Sequence, residues 1–101
     1  PGGFEAPDRV RLLEEVQEFV RKMDELKELV AAICHGPWIM ISAGITKGRK
    51  MTAFWSIEAD MKNSGANYQH KVPVVIDDNF ITSPHYNNNA DFMKAVVRYF
   101  K

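Results

Sequence analysis

A continuous apolar run, Leu29 to Ile33, ends at Cys34, the only cysteine of the chain, and an apolar helical pattern, Trp38 to Ala43, follows at once. The run has no polar alternation, so the sequence predicts a strand covered on both faces, as in a parallel sheet. A strand, a sharp turn and a helix with a thiol at the turn form the nucleophile-elbow arrangement, which lifts the side chain out of the sheet and aims it at the first turn of the helix. Unpaired N–H groups and the helix dipole at that turn favour a thiolate and any developing oxyanion. Spacing alone leaves a second reading open, a buried structural cysteine, because free Cys is among the most buried residue types.

The rest of the chain reads as alternating helices and short strands. Residues 1–8 form a Gly- and Pro-rich loop. Val10, Leu13, Val16, Val20 and Met23 recur at three- and four-residue steps, which predicts one amphipathic helix from Asp8 to Leu26, with Asp8 as a candidate N-cap after Pro7. The elbow helix, Gly36 to Ala43, stops at Gly44. Met51 to Trp55 reads as a strand, and Ser56 as the cap of a helix from Ile57 to Asn63 that Gly65 ends. Val74–Ile76 and Phe80–Thr82 flank Asp77-Asp78-Asn79, a hairpin signature. A last helix, Asn89 to Phe100, has Phe92, Ala95, Val96, Tyr99 and Phe100 as its expected buried face.

Composition narrows the partners. With 101 residues the chain has room for one small domain. Thirteen basic residues balance thirteen acidic ones, so nothing favours nucleic acid or an anionic membrane surface. No apolar run reaches the roughly 18 residues of a membrane span. A single cysteine excludes an internal disulfide and suits a reducing cytoplasm. His70 and His85 have no partner at metal-ligand spacing and read as surface or loop residues, and no phosphate-binding glycine loop or dinucleotide fingerprint occurs, so no metal or organic cofactor is expected. Trp38, Phe54 and Trp55 read by default as core.

Several motifs occur in a fixed order along the chain. They are Pro1-Gly2-Gly3, Ala6-Pro7-Asp8-Arg9-Val10-Arg11, Ala31-Ala32-Ile33-Cys34-His35-Gly36-Pro37-Trp38, Ile41-Ser42-Ala43-Gly44, Lys47-Gly48-Arg49-Lys50, Asp60-Met61-Lys62-Asn63 with Gly65-Ala66, Val74-Val75-Ile76-Asp77 and Ile81-Thr82-Ser83. Together they resemble the PfpI family of intracellular cysteine peptidases, within the class I glutamine amidotransferase-like superfamily. The resemblance implies an α/β fold, a flavodoxin-like three-layer α/β/α sandwich with a mostly parallel sheet. It also implies that residues 1–101 are the C-terminal portion of a single domain, with the N-terminal strands, and a glutamate that family members carry beside the thiol, missing from this chain or supplied by a companion chain. Without those neighbours the Leu29–Ile33 strand would present an apolar edge, and the 101 residues alone would not be a well-behaved monomer.

The resemblance assigns roles as well. Cys34 is the nucleophile and His35 its partner. Side chains of adjacent residues diverge, so His35 has a second reading in which it chiefly supplies its backbone N–H to an oxyanion hole. Gly3 is the other oxyanion donor, or a plain turn glycine. Asp8 is the acid that reaches a neighbouring subunit's histidine in a homo-oligomer, or simply a helix cap, and Glu5 is its fallback. Asp is one methylene shorter than the Glu of several members, and Gly3-Phe4-Glu5-Ala6 is one residue longer than the commonest family spacing. The segment Ser83–Asn89 also departs from the family and is a candidate pocket mouth or oligomer contact. The implied function is a cytoplasmic cysteine-dependent hydrolase acting on a peptide or a small carbonyl substrate, with deglycase chemistry included. The alternatives are a stress-response protein with an oxidisable thiol and no turnover, and a non-catalytic binding domain.

Overall fold

A computed structural model describes residues 3–101. Pro1 and Gly2, which open the expected N-terminal turn, lie outside the described residues. In chain order the elements are α1 (Glu5–Val10), α2 (Glu14–Glu25), β1 (Val30–Ile33), α3 (Pro37–Ala43), β2 (Lys50–Met51), a 3-10 turn (Trp55–Ile57), α4 (Glu58–Asn63), β3 (Asn67–Tyr68), β4 (Val75–Asp77), β5 (Phe80–Ser83), a second 3-10 turn (Tyr86–Asn88) and α5 (Asn89–Tyr99). A three-stranded sheet has the order β1-β5-β4. β1 runs parallel to β5, with Val30 opposite Phe80 and Ile33 opposite Ser83. β4 and β5 are antiparallel and close through the expected hairpin turn, where Asp78 takes a φ of +54°. A short parallel pair, β2 with β3, is tied to this sheet by two bonds: the Lys50 N–H donates to Asp77 Oδ2 at 2.8 Å and the Thr52 N–H to Thr82 Oγ1 at 2.9 Å.

The core forms where α3, α4 and the strands meet. Val30, Ala32, Met40, Met51, Ala53, Ile57, Met61, Ala66 and Phe80 are buried together, and Val20, Met23 and Trp38 pack against them. α3 begins with Pro37, whose missing N–H costs nothing in the first turn, and ends at Gly44 with a φ of +77°, so both ends agree with the sequence.

Several expectations are corrected. The single helix from Asp8 to Leu26 is two helices, because Leu13 adopts an extended backbone and the chain turns at residues 11–13. Gln17 donates to the Arg11 carbonyl freed at the turn (2.7 Å), and Arg11 Nε donates to Ser42 Oγ on α3 (2.8 Å), so lost helical bonds are replaced by tertiary ones. Leu13, expected on the apolar stripe, is consequently exposed. Asp8 lies inside α1 and caps nothing; the N-cap position belongs to Phe4. The expected strand Met51–Trp55 is regular only at Lys50–Met51, because the N–H groups of Thr52 and Phe54 bond to the Thr82 side chain and the Cys34 carbonyl instead of continuing a ladder. Ser56 sits within the first 3-10 turn and does not cap α4. On α5 only Phe92 is buried, while Tyr99 and Phe100 are exposed. β1 is not covered on both faces: Val30 and Ala32 are buried, Ala31 is exposed, and among the described residues β1 has a single strand neighbour.

One polar cluster locks the hairpin to α2. Asn79, 1% exposed, donates from Nδ2 to Asp24 Oδ1 at 3.0 Å and to the Glu28 carbonyl at 2.9 Å, and accepts from Arg49 Nη2 at 2.7 Å. Arg49 also pairs with Asp24 at 3.2 Å and lies over the Phe80 ring at 3.5 Å. Removing one partner from such a network leaves the others desolvated and unpaired. Asn79→Ala is therefore expected to lower the stability of the chain by about 2 kcal/mol, read as a shift in the urea midpoint at unchanged slope. The free apolar edge of β1 generates a second expectation: the 101-residue chain by itself elutes above its monomer mass in light-scattering chromatography, and a soluble, cooperatively melting monomer would refute it.

Candidate active site

Cys34 stands directly after β1. Its N–H donates to the Ser83 carbonyl at 2.9 Å, one step beyond the β1–β5 ladder, and its own carbonyl accepts from the Phe54 N–H at 2.8 Å. Between these two bonds the backbone takes a φ of +61°, a left-handed conformation that costs a residue with a Cβ about 1–2 kcal/mol. The sharp reversal is closed by the Gly36 N–H donating to the Ile33 carbonyl at 2.9 Å and the Trp38 N–H to the His35 carbonyl at 3.0 Å. Among the described residues nothing accepts the His35 backbone N–H. The thiol is half-buried.

The turn brings the adjacent side chains together rather than apart. Cys34 Sγ lies 3.2 Å from His35 Nδ1, and His35 Nε2 lies 3.1 Å from Ser56 Oγ. The imidazole is walled by aromatic rings: Phe54 stacks on it at 5.2 Å, Trp38 meets it edge-on at 5.0 Å, and Phe4 approaches at 6.3 Å. This partial burial holds His35 below the usual histidine range, because desolvation disfavours the charged ring. A neutral imidazole beside a thiol has a lone pair free to accept the thiol proton.

The aromatic residues expected in the core thus serve the site. Trp38 packs at the core's margin, with Arg11 over its ring at 5.2 Å and its indole N–H donating to Asp60 Oδ2 at 3.0 Å. Phe54 stacks on Trp55 at 4.3 Å, and Trp55 lies nearly parallel to His85 at 5.8 Å. Trp55 and His85, with Lys71, Pro84, Asn87 and Asn88, line a cavity of about 250 Å³, and Lys71 Nζ sits 4.8 Å from the Trp55 ring. His85 is half-buried and accepts the Asn87 N–H at Nδ1, so it is more than a loose surface histidine, whereas His70 is exposed and pairs with Glu58 at 3.0 Å. Among the described residues no three His, Cys, Asp or Glu converge in a metal-binding group.

Among the described residues neither acid hydrogen-bonds to Cys34 or His35, whose side-chain partners are each other and Ser56. Asp8 is exposed on α1, and Glu5 pairs with Arg9 at 3.2 Å on the same helix. Gly3 is exposed with a φ of +70°, and a Cβ there would meet open space, so its backbone conformation rather than crowding asks for glycine. Its neighbour Phe4 carries the N-terminal stretch to the edge of His35. Ser56 escaped the sequence reading as a site residue, since nothing in its spacing signals a partner 21 positions away.

The burial of His35 sets a sign for pH dependence. Its folded pKa lies below its unfolded one, so the unfolded chain binds the extra proton in the window beneath about 6.5. The stability contribution is complete above that pH and is lost as pH falls through the window. NMR titration of the His35 ring is expected to give a midpoint below 6.5, with stability declining as pH falls from about 6.5 through that midpoint.

Comparison with known proteins places this geometry in a family. The DJ-1/PfpI family model matches residues 1–99. The chain is 45% identical over 101 residues to the protein named deglycase PfpI of Pyrococcus furiosus, covering all of this chain and 60% of that protein. It is 42% identical over 83 residues to general stress protein 18 of Bacillus subtilis, covering 82% of this chain and 48% of that one. The chain therefore spans about 60% or less of the length of these curated relatives. The crystal structure of a two-domain protein from Anabaena variabilis, with DJ-1/ThiJ/PfpI-like and ferritin-like domains, matches with a TM-score of 0.91 at 36% identity over 93% of this chain and 27% of that one. The helices and mixed sheet are those of a flavodoxin-like α/β fold, and the chain belongs to the DJ-1/PfpI family.

Proposed function

We propose that the chain carries the thiol centre of a cysteine-dependent hydrolase of the PfpI type. The observation that carries this reading is the 3.2 Å approach of Cys34 Sγ to His35 Nδ1 at a residue with a φ of +61°. In the proposed reaction the Cys34 thiol gives its proton to His35 Nδ1 as sulfur forms a bond to an electrophilic carbonyl carbon, and the carbonyl π pair moves onto oxygen. The His35 backbone N–H, paired with that of Gly3, holds the resulting oxyanion. With a peptide, collapse expels the amine, which takes the proton from His35, and water then hydrolyses the resulting thioester to free the thiol.

The substrate in this reading is a glyoxal-modified thiol or amine of a protein, a small dicarbonyl, or a peptide. The name of the Pyrococcus relative favours the first of these. Asp8 serves as the acid contributed across an interface in a homo-oligomer, and its exposure on α1 leaves it free to reach a second copy. The 101 residues act as the C-terminal portion of one domain, in the cytoplasm. The oxidisable-thiol alternative has its own support in a free cysteine that is only half-buried and in the relative named a general stress protein.

Turnover of methylglyoxal, of a glyoxal-modified thiol and of a peptide is the test, each beside Cys34→Ala. Under the proposal at least one is turned over and Cys34→Ala loses on the order of 100-fold or more. Equal rates for the variant and the wild type overturn it. No turnover, together with selective gain of two oxygens at Cys34 under mild peroxide, establishes the alternative.

A further inference from the structure

We infer that Ser56 is the positioning residue that orients His35 within a single protomer, holding the far ring nitrogen before an acid of a second copy reaches it. The inference rests on the reading of Cys34 and His35 as the reacting pair. His35 has two ring nitrogens with different neighbours: Nδ1 faces Cys34 Sγ at 3.2 Å and Nε2 faces Ser56 Oγ at 3.1 Å. A neutral imidazole carries one N–H and one lone pair, and the partner of one nitrogen decides which it keeps. If Nε2–H donates to the serine oxygen, the Nδ1 lone pair is aimed at the thiol proton, which is the tautomer a general base requires. The opposite tautomer points an N–H at sulfur and removes the base.

The position of Ser56 is held from both sides. Phe54, two residues before it, bonds through its N–H to the Cys34 carbonyl and stacks on the His35 ring. Ile57, the next residue, is 3% exposed in the core and closes the 3-10 turn by donating to the Phe54 carbonyl at 3.1 Å. The hydroxyl is thus presented by a segment pinned to the elbow itself, although Ser56 is exposed and caps no helix.

A hydroxyl orients the ring without adding a negative charge. The charged groups packed around the imidazole reach its aromatic wall instead: Arg11 and Asp60 contact Trp38, and Lys71 contacts Trp55. Among the described residues no carboxylate hydrogen-bonds to His35.

The experiment reads the tautomer directly. In the 15N-labelled chain above the His35 titration, the wild-type ring is expected to carry its proton on Nε2. Ser56→Ala is expected to lose that preference and to slow iodoacetamide alkylation of Cys34 at pH 7 several-fold, with the melting temperature unchanged, and Ser56→Thr to retain both properties. A wild-type ring protonated on Nδ1 overturns the proposal, as does a Ser56→Ala protein with the wild-type tautomer and alkylation rate. A wild-type ring protonated on Nδ1 decides against the assignment even if Ser56→Ala fails to fold, and an Asp8→Asn chain that loses the Nε2 proton assigns the orientation to the acid instead and overturns it. The tautomer is read without substrate, so a failure of the hydrolase reading and a failure of this assignment give different results.

Discussion

The parallel pairing of β1 with β5 is the constraint from which the rest of the site follows. Because Val30–Ile33 lies in register with Phe80–Ser83, the next N–H, that of Cys34, meets the Ser83 carbonyl. The Phe54 N–H closes on the Cys34 carbonyl from the other side, so both backbone polar groups of Cys34 are engaged. A left-handed φ at a residue with a Cβ persists only where the surroundings over-determine it. Here two tertiary hydrogen bonds do so, and the strain is spent on turning the thiol back toward the neighbouring imidazole.

The second level of organisation is the aromatic wall. Phe54, Trp38 and Phe4 exclude part of the solvent around His35 and favour the neutral ring, while leaving its two nitrogens to polar partners of different kinds. Phe54 links this wall to Trp55 and His85, so the thiol centre and the 250 Å³ cavity share one continuous aromatic surface. The imidazole of His35 and a ligand-sized hollow are thereby connected through packed rings rather than through a loop free to move independently.

Legibility in the sequence followed the range of the interactions. The helix after the elbow, with its glycine stop, and the β4–β5 hairpin rest on contacts between near neighbours, and their signals were local: Gly44, and Asp77-Asp78-Asn79. The single helix from Asp8 to Leu26 failed because its apolar period continues through a break that is stabilised by Arg11 reaching Ser42 on another helix. Asn79 read as a turn residue and is instead a buried hub joining Asp24, Glu28 and Arg49, a role that depends on partners up to 55 positions away.

By itself the sequence determined the chemistry on offer: one thiol at a strand-to-helix turn, an adjacent imidazole, and motifs in the order of a known family. Only the tertiary structure decided how that chemistry is arranged. Adjacent side chains normally diverge, and it took a left-handed backbone, held by Ser83 and Phe54 from two other segments, to set Sγ and Nδ1 3.2 Å apart. The choice of Ser56 for the far nitrogen was likewise invisible in the order of residues. A hydrogen bond across 21 positions is specified by where two packed segments meet, and that is a property of the folded core rather than of any local pattern.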